Sequence, residues 1–154
     1  MFDLRRRQLI TLLGGAAAWP LAAQAQQAAM PTVGFLGPNT PSDATEWVGA
    51  FVKRLRELGW IEGRTITIDY RWVDGRTERF AEIAAEFVRL KVDVVVTSGT
   101  PAVMALQQAT SVIPIVFATA GDPVNTGLVA SLARPGGNTT GLATVGDELA
   151  GKRL

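Results

Sequence analysis

From residue 33 onward, apolar runs too short for a helix alternate with stretches in which apolar residues recur every three or four positions. Val33-Gly34-Phe35-Leu36-Gly37 is a short apolar run closed by Gly-Pro and reads as a buried strand. Pro41-Ser42-Asp43 then offers a helix start, with Ser42 or Asp43 as the cap. Trp47, Val48, Phe51, Val52, Leu55 and Leu58 follow at helical spacing, with charges filling the other positions, until Gly59 ends the helix. Thr65 to Trp72 alternates over β-favouring residues, so it predicts a second strand, and Asp74-Gly75 turns the chain. Thr77 is placed to cap a second helix whose apolar face is Phe80, Ile83, Ala84, Phe87 and Val88.

Asp93 to Thr97 holds an unbroken valine run, which predicts a third strand buried on both faces. Pro101 suits the first position of a helix beginning near Ala102, where its missing N–H has no partner to lose. Pro114 to Ala118 reads as a fourth strand, broken by Gly121-Asp122-Pro123. Asn125 to Ala133 predicts a short helix closed by Pro135-Gly136-Gly137, Thr139 to Thr144 a fifth strand, and Asp147 to Leu154 the opening turns of a further helix. This βαβα order implies an α/β fold, a doubly wound parallel sheet with helices on both faces. The commonest strand order for such a pattern is 2-1-3-4-5.

Ligands of open parallel sheets bind beyond the carboxyl ends of the strands. Three segments fall there: Gly37-Pro38-Asn39-Thr40, Ser98-Gly99-Thr100 and Thr119-Ala120-Gly121-Asp122. Their glycines let a ligand approach the backbone, and the helix starts after them offer free N–H groups. Asn39, Thr40, Ser98, Gly99, Thr100, Gly121 and Asp122 are therefore the candidate ligand-binding residues for a carboxylate or similar polar head. The same residue types also serve ordinary βα turns. Asp122 is placed either to accept from an ammonium or to cap the segment after it. Gly136-Gly137-Asn138 lacks the Lys-Ser/Thr tail of a phosphate loop and reads as a turn. Trp47 and Trp60 read as packing residues, and Trp72, at a strand end, as a candidate ligand platform.

Composition narrows the chemistry. The 154 residues include no Cys and no His, which removes thiol nucleophiles, Cys/His zinc sites, disulfides and imidazole acid–base chemistry from this chain. With no G-x-S-x-G elbow either, the expectation is a non-enzyme without cofactor or metal. The balance of 15 basic and 14 acidic residues argues against a nucleic-acid partner held by phosphate neutralisation. The positive charge is concentrated at the start, in Arg5-Arg6-Arg7. An apolar stretch from Leu9 to Ala23, broken by Gly14, Gly15 and Pro20, leads to Ala23-Gln24-Ala25. That layout is an export signal over residues 1–25, cut after Ala25. Arg6-Arg7-Gln8-Leu9-Ile10 partly matches the twin-arginine pattern, leaving twin-arginine and general secretory export as alternatives.

Laid out in this way, the chain resembles the substrate-binding proteins of ABC transporters. The likeness runs through Leu12 to Ala23, Val33 to Gly37, Leu58-Gly59-Trp60-Ile61-Glu62-Gly63, Asp69-Tyr70-Arg71-Trp72 and Ile113-Pro114-Ile115-Val116-Phe117. Its most specific part is Gly121-Asp122-Pro123-Val124, Gly127 to Leu132 and Arg134-Pro135-Gly136-Gly137-Asn138-Thr139-Thr140-Gly141. The resemblance implies a type I periplasmic-binding fold, in which two α/β lobes close on a small solute. This chain supplies one such lobe over 26–146, with 147–154 opening the second. It further implies a periplasmic protein that captures a polar metabolite such as an amino acid, including aromatic ones. The solute passes to an ABC permease in the inner membrane. An extracellular sensory module built on the same lobe is the alternative. On this reading the loops at Asn39-Thr40, Ser98-Thr100 and Gly121-Asp122 face the cleft.

Overall fold

The computed structural model describes residues 30–144, and the expected export signal and final helix lie outside them. Eight elements follow in chain order: β1 (Thr32–Gly37), α1 (Thr45–Glu57), β2 (Thr67–Trp72), α2 (Arg79–Leu90), β3 (Val94–Thr97), α3 (Thr100–Ala109), β4 (Ile115–Gly121) and β5 (Thr139–Thr144). All neighbouring strands pair in parallel, in the order β2-β1-β3-β4-β5. This is the doubly wound arrangement that the alternating periodicity implies.

Strand parity divides the side chains between two faces. Leu36, Val95, Ile115 and Phe117 point to the side covered by α2 and α3, where they pack with Phe80, Ile83, Ala84, Phe87, Ala102, Val103 and Leu106. Phe87 is completely buried and lies against Gly34 of β1, where an added Cβ would stand 3.1 Å from its ring. Thr97 is a buried polar member of this face, and its hydroxyl donates to the Leu36 carbonyl at 2.8 Å. Val33, Ile66 and Ile68 point to the other side, with Phe35, Tyr70, Val94 and Val96 half-buried beneath Phe51, Val52 and Leu55 of α1. No residue of α1 is fully buried. The valine run of β3 is thus closed over on one face and half-covered on the other.

Several local expectations are corrected. Neither Ser42 nor Asp43 caps α1, which starts after Ala44 without a side-chain cap. The Asp43 carboxylate instead accepts the Thr40 hydroxyl at 2.6 Å, which ties the preceding loop to itself. Thr77 does not cap α2, whose start at Glu78 has no side-chain cap. Its carbonyl accepts the N–H of Phe80. Val88 lies at the edge of the α2 apolar face and is exposed.

The predicted helix over 125–133 does not form. The Asp122 carboxylate accepts the Asn125 N–H at 3.2 Å, and the Asp122 carbonyl accepts the Thr126 N–H at 3.0 Å. One turn closes in this way, and then Gly127 enters the left-handed region at φ 75° and stops it. Leu128 and Val129 beyond it are buried in the α2/α3 core. Gly136-Gly137-Asn138 is a turn, as its sequence suggests, with both glycines at positive φ. The Asn138 amide donates to the carbonyls of Thr110 and Ile113, which anchors the entry to β5.

Candidate functional site

The cavity that bears on function opens at the carboxyl ends of the strands, on the α1 side of the sheet, and holds about 540 Å³. That lies within the range of small-molecule pockets, roughly 300–1,000 Å³. Parity explains its lining. Phe35 of β1, Trp72 of β2, Val96 of β3 and Ala118 of β4 all project to the α1 face, and Trp47 and Phe51 of α1 approach them from above.

One wall is aromatic. Phe35 is its centre, with ring centroids 5.8 Å from Phe51, 5.6 Å from Tyr70 and 5.6 Å from Trp72, all in tilted geometry. Such pairs contribute roughly 0.5–1.5 kcal/mol each beyond their buried area. Behind them the Tyr70 hydroxyl faces Glu62 at 3.4 Å. Its pKa is pushed up to about 12, chiefly by burial and then by the Glu62 charge. Trp47 is 77% exposed at the rim, contrary to its expected packing role, because α1 stands over the cavity at this point.

The other wall is polar and carries one acidic residue, Asp43, whose carboxylate also accepts the Thr40 hydroxyl. Asn39, Ser98, Thr119 and Thr144 line it. Among the described residues the side chains of Asn39, Ser98 and Thr119 make no hydrogen bond, so they are free to meet a ligand. The Thr144 hydroxyl is held by the Ala120 carbonyl at 3.3 Å. Next to Ser98, α3 begins after Gly99 at φ 87° with no side-chain cap, and Pro101 occupies its first turn. Its leading N–H groups therefore point out of the helix end without a side-chain partner.

Of the residues singled out in the sequence, Asn39 and Ser98 line the cavity, and Trp72 forms part of its aromatic wall. Thr40, Gly99, Thr100, Gly121 and Asp122 do not line it. Thr40 is bonded within its own loop to Ser42 and Asp43. Gly99 and Thr100 form the start of α3, and Gly121 ends β4. The Asp122 carboxylate accepts from the backbone N–H and the side-chain amide of Asn125, as in the capping alternative. The lining residues that sequence reasoning missed are chiefly Phe35, Phe51, Val96 and Ala118. The signal for them is the alternation of β1 and β2, which places Phe35, Tyr70 and Trp72 on one face once the strands are known to be neighbours. Among the described residues no cluster of acidic side chains is placed to hold a metal, and no helix is long and apolar enough to cross a membrane.

Comparisons with known proteins agree on a kind of protein. The family model described as ABC transporter substrate binding protein matches residues 41–152. A tyrosine-binding protein of Clostridioides difficile (strain R20291) is 38% identical over 91 residues, covering 59% of this chain and 26% of that protein. A conserved domain protein from Vibrio cholerae matches in structure with a TM-score of 0.69 and 33% identity, over 75% of this chain and 39% of that one. An ABC domain in complex with L-Trp from Streptococcus pneumonia matches with a TM-score of 0.66 and 28% identity, again over 75% of this chain and 39% of that one. The chain thus spans well under half the length of the relatives it matches.

Proposed function

We propose a role in solute capture from one premise: the chain belongs to the ABC transporter substrate binding protein family. Proteins of this family bind substrates rather than transform them. The cavity of this chain is a receptor surface for an amino acid with an aromatic side chain. The observation that carries the reading is the division of the cavity into an aromatic wall and a polar wall that includes Asp43. An aromatic amino acid has the same division. Its ring suits the surface of Phe35, Trp47, Phe51 and Trp72. Its charged head suits Asn39, Ser98 and Thr119 beside the uncapped start of α3, where oriented N–H groups favour a carboxylate. The relatives that bind tyrosine and L-Trp support this choice of solute.

In this reading the described residues supply one wall of a cleft. The signal-like residues 1–25 direct the chain to the periplasm, and an ABC permease of the inner membrane receives the solute. A single open wall leaves much of a ligand in water, so that wall by itself binds in the millimolar range, about −4 kcal/mol. Ligand-observed NMR of the full chain with the common L-amino acids tests the proposal. Saturation transfer strongest to tryptophan, tyrosine and phenylalanine is expected. Equal transfer to all amino acids, or none to any, overturns it.

A further inference from the structure

Gly37 and Trp72 are register partners at the carboxyl ends of β1 and β2, and both line the cavity. A Cβ built on Gly37 would stand 2.1 Å from Cε3 and 2.2 Å from Cζ3 of Trp72. Real Cβ atoms do not come so close to a ring, so the six-membered part of the indole lies directly on the Gly37 backbone. Gly37 is not among the glycines at positive φ, and β1 is regular through it. Its lack of a side chain is therefore not required by the backbone. It is required by the indole. The Phe35 ring holds the indole from the side, at 5.6 Å and 50°. Gly34, three residues earlier and on the opposite face, makes room for core packing against Phe87. Gly37 instead makes room for a ring at the wall of a cavity.

We infer that Gly37 is a specificity-determining residue: by carrying no side chain it lets the Trp72 indole lie flat on β1, and this seated indole is the surface that selects aromatic ligands over aliphatic ones. Trp72 touches the ligand ring, and Gly37 acts through Trp72 as a positioning residue. The inference rests on the proposed solute-binding role of the same cavity and adds to it what sets the choice of side chain. With Ala at 37 the indole has to leave the strand. Trp72 lines the cavity, so a displaced indole takes the flat wall with it, while the backbone of β1 has no reason to change.

The test uses the full chain and four probes: free indole, p-cresol, L-tryptophan and L-leucine, each followed by ligand-observed NMR titration. In the wild type the ring probes bind, and L-tryptophan binds more tightly than L-leucine. Gly37→Ala weakens indole and L-tryptophan about tenfold, the scale of one lost ring contact, and leaves L-leucine within about twofold. Trp72→Leu removes the preference for L-tryptophan over L-leucine. In the Trp72→Leu background, adding Gly37→Ala has no further effect on any probe, because the clash partner is gone. This lack of additivity separates positioning from a general loss of structure. Unchanged ring binding in both single variants overturns the inference. If Gly37→Ala alone fails to fold, Trp72→Leu decides it: retained ring preference overturns it, lost preference supports it. The two readings fail separately. Indole bound no less tightly than L-tryptophan overturns the amino-acid reading and leaves the ring surface standing. Amino acids bound without preference for rings overturn the ring surface and leave solute capture standing.

Discussion

The two faces of the sheet are built from the same strands yet are covered very differently. On the α2/α3 side, Leu36, Val95, Ile115 and Phe117 are shut off from solvent under two helices. On the α1 side, one helix without a fully buried residue leaves Phe35, Tyr70 and Val96 half-covered, and Val116 and Leu142 exposed. Parallel sheets ordinarily bury both faces. The difference separates the two tasks of the lobe: the closed face holds the fold together, and the open face keeps an aromatic surface accessible at the strand ends. A ring that faces a cavity gives up part of the burial that would have stabilised the fold, and the closed face compensates for it.

Truncating one phenylalanine on each face gives the largest test of this division. Phe87→Ala removes a completely buried ring and is expected to cost about 3–5 kcal/mol, because the transfer and cavity terms add. Phe51→Ala removes a half-buried ring beside an existing cavity and is expected to cost about 1 kcal/mol. Urea denaturation of both variants measures the ratio. Equal costs would mean that the α1 face is as tightly packed as the other and that the contrast is unfounded.

The division also marks what the sequence could reveal. The parallel sheet is legible because each strand and helix has its own period, whereas its order 2-1-3-4-5 is expected only as the commonest winding of a regular βαβα alternation. The closed core is legible for the same reason: Phe80, Ile83, Ala84 and Phe87 recur at helical spacing, and all are buried. The segment after β4 misleads, because its apolar residues at Val124, Leu128 and Val129 imitate a helix while the Asp122 turn and the φ of Gly127 prevent one. At the site, Asn39 and Ser98 are found because loops at strand ends are identifiable from chain order alone. The aromatic wall requires more. Phe35 and Val96 are partners in the β1–β3 register, and Gly37 and Trp72 in the β1–β2 register, and neither pairing is written in the periodicity of a single strand.

A smaller effect concerns the closed side of the edge strand. Arg71 of β2 donates through Nε and Nη2 to Glu86 of α2 at 3.1 and 2.9 Å, and through Nη1 to Asp69 at 2.7 Å. The bond to Arg71 holds the Glu86 carboxyl below its ordinary value, since it favours the charged form. A lowered acid pKa contributes stability above the unfolded value, about 4.3, and loses it as pH falls through the folded one. The pair is partly solvated, so Glu86→Gln is expected to cost about 1 kcal/mol or less at neutral pH. The difference between the two proteins should vanish in acid below the folded value. A difference that persists unchanged at low pH would assign the cost to packing of the α2 helix instead of to the ion pair.

The smallest effect measures directly how dry the open face is. Tyr70 is the single tyrosine of the chain, so an alkaline absorbance titration reports on it alone. It sits on the α1 face beside Phe35, and its pKa is raised to about 12, with burial as the first cause and the Glu62 carboxylate behind it. Both causes favour the neutral phenol, so the folded protein resists ionisation that the unfolded chain undergoes near 10. Stability attached to this group is complete below about pH 10 and declines as pH rises toward 12. Glu62→Gln removes the charge and leaves the burial, so the midpoint should fall only part of the way back. A midpoint that returns to 10 in that variant would show that water reaches the phenol freely. The open face would then be open to its base, and the aromatic wall would be a wetted surface instead of the floor of a cavity.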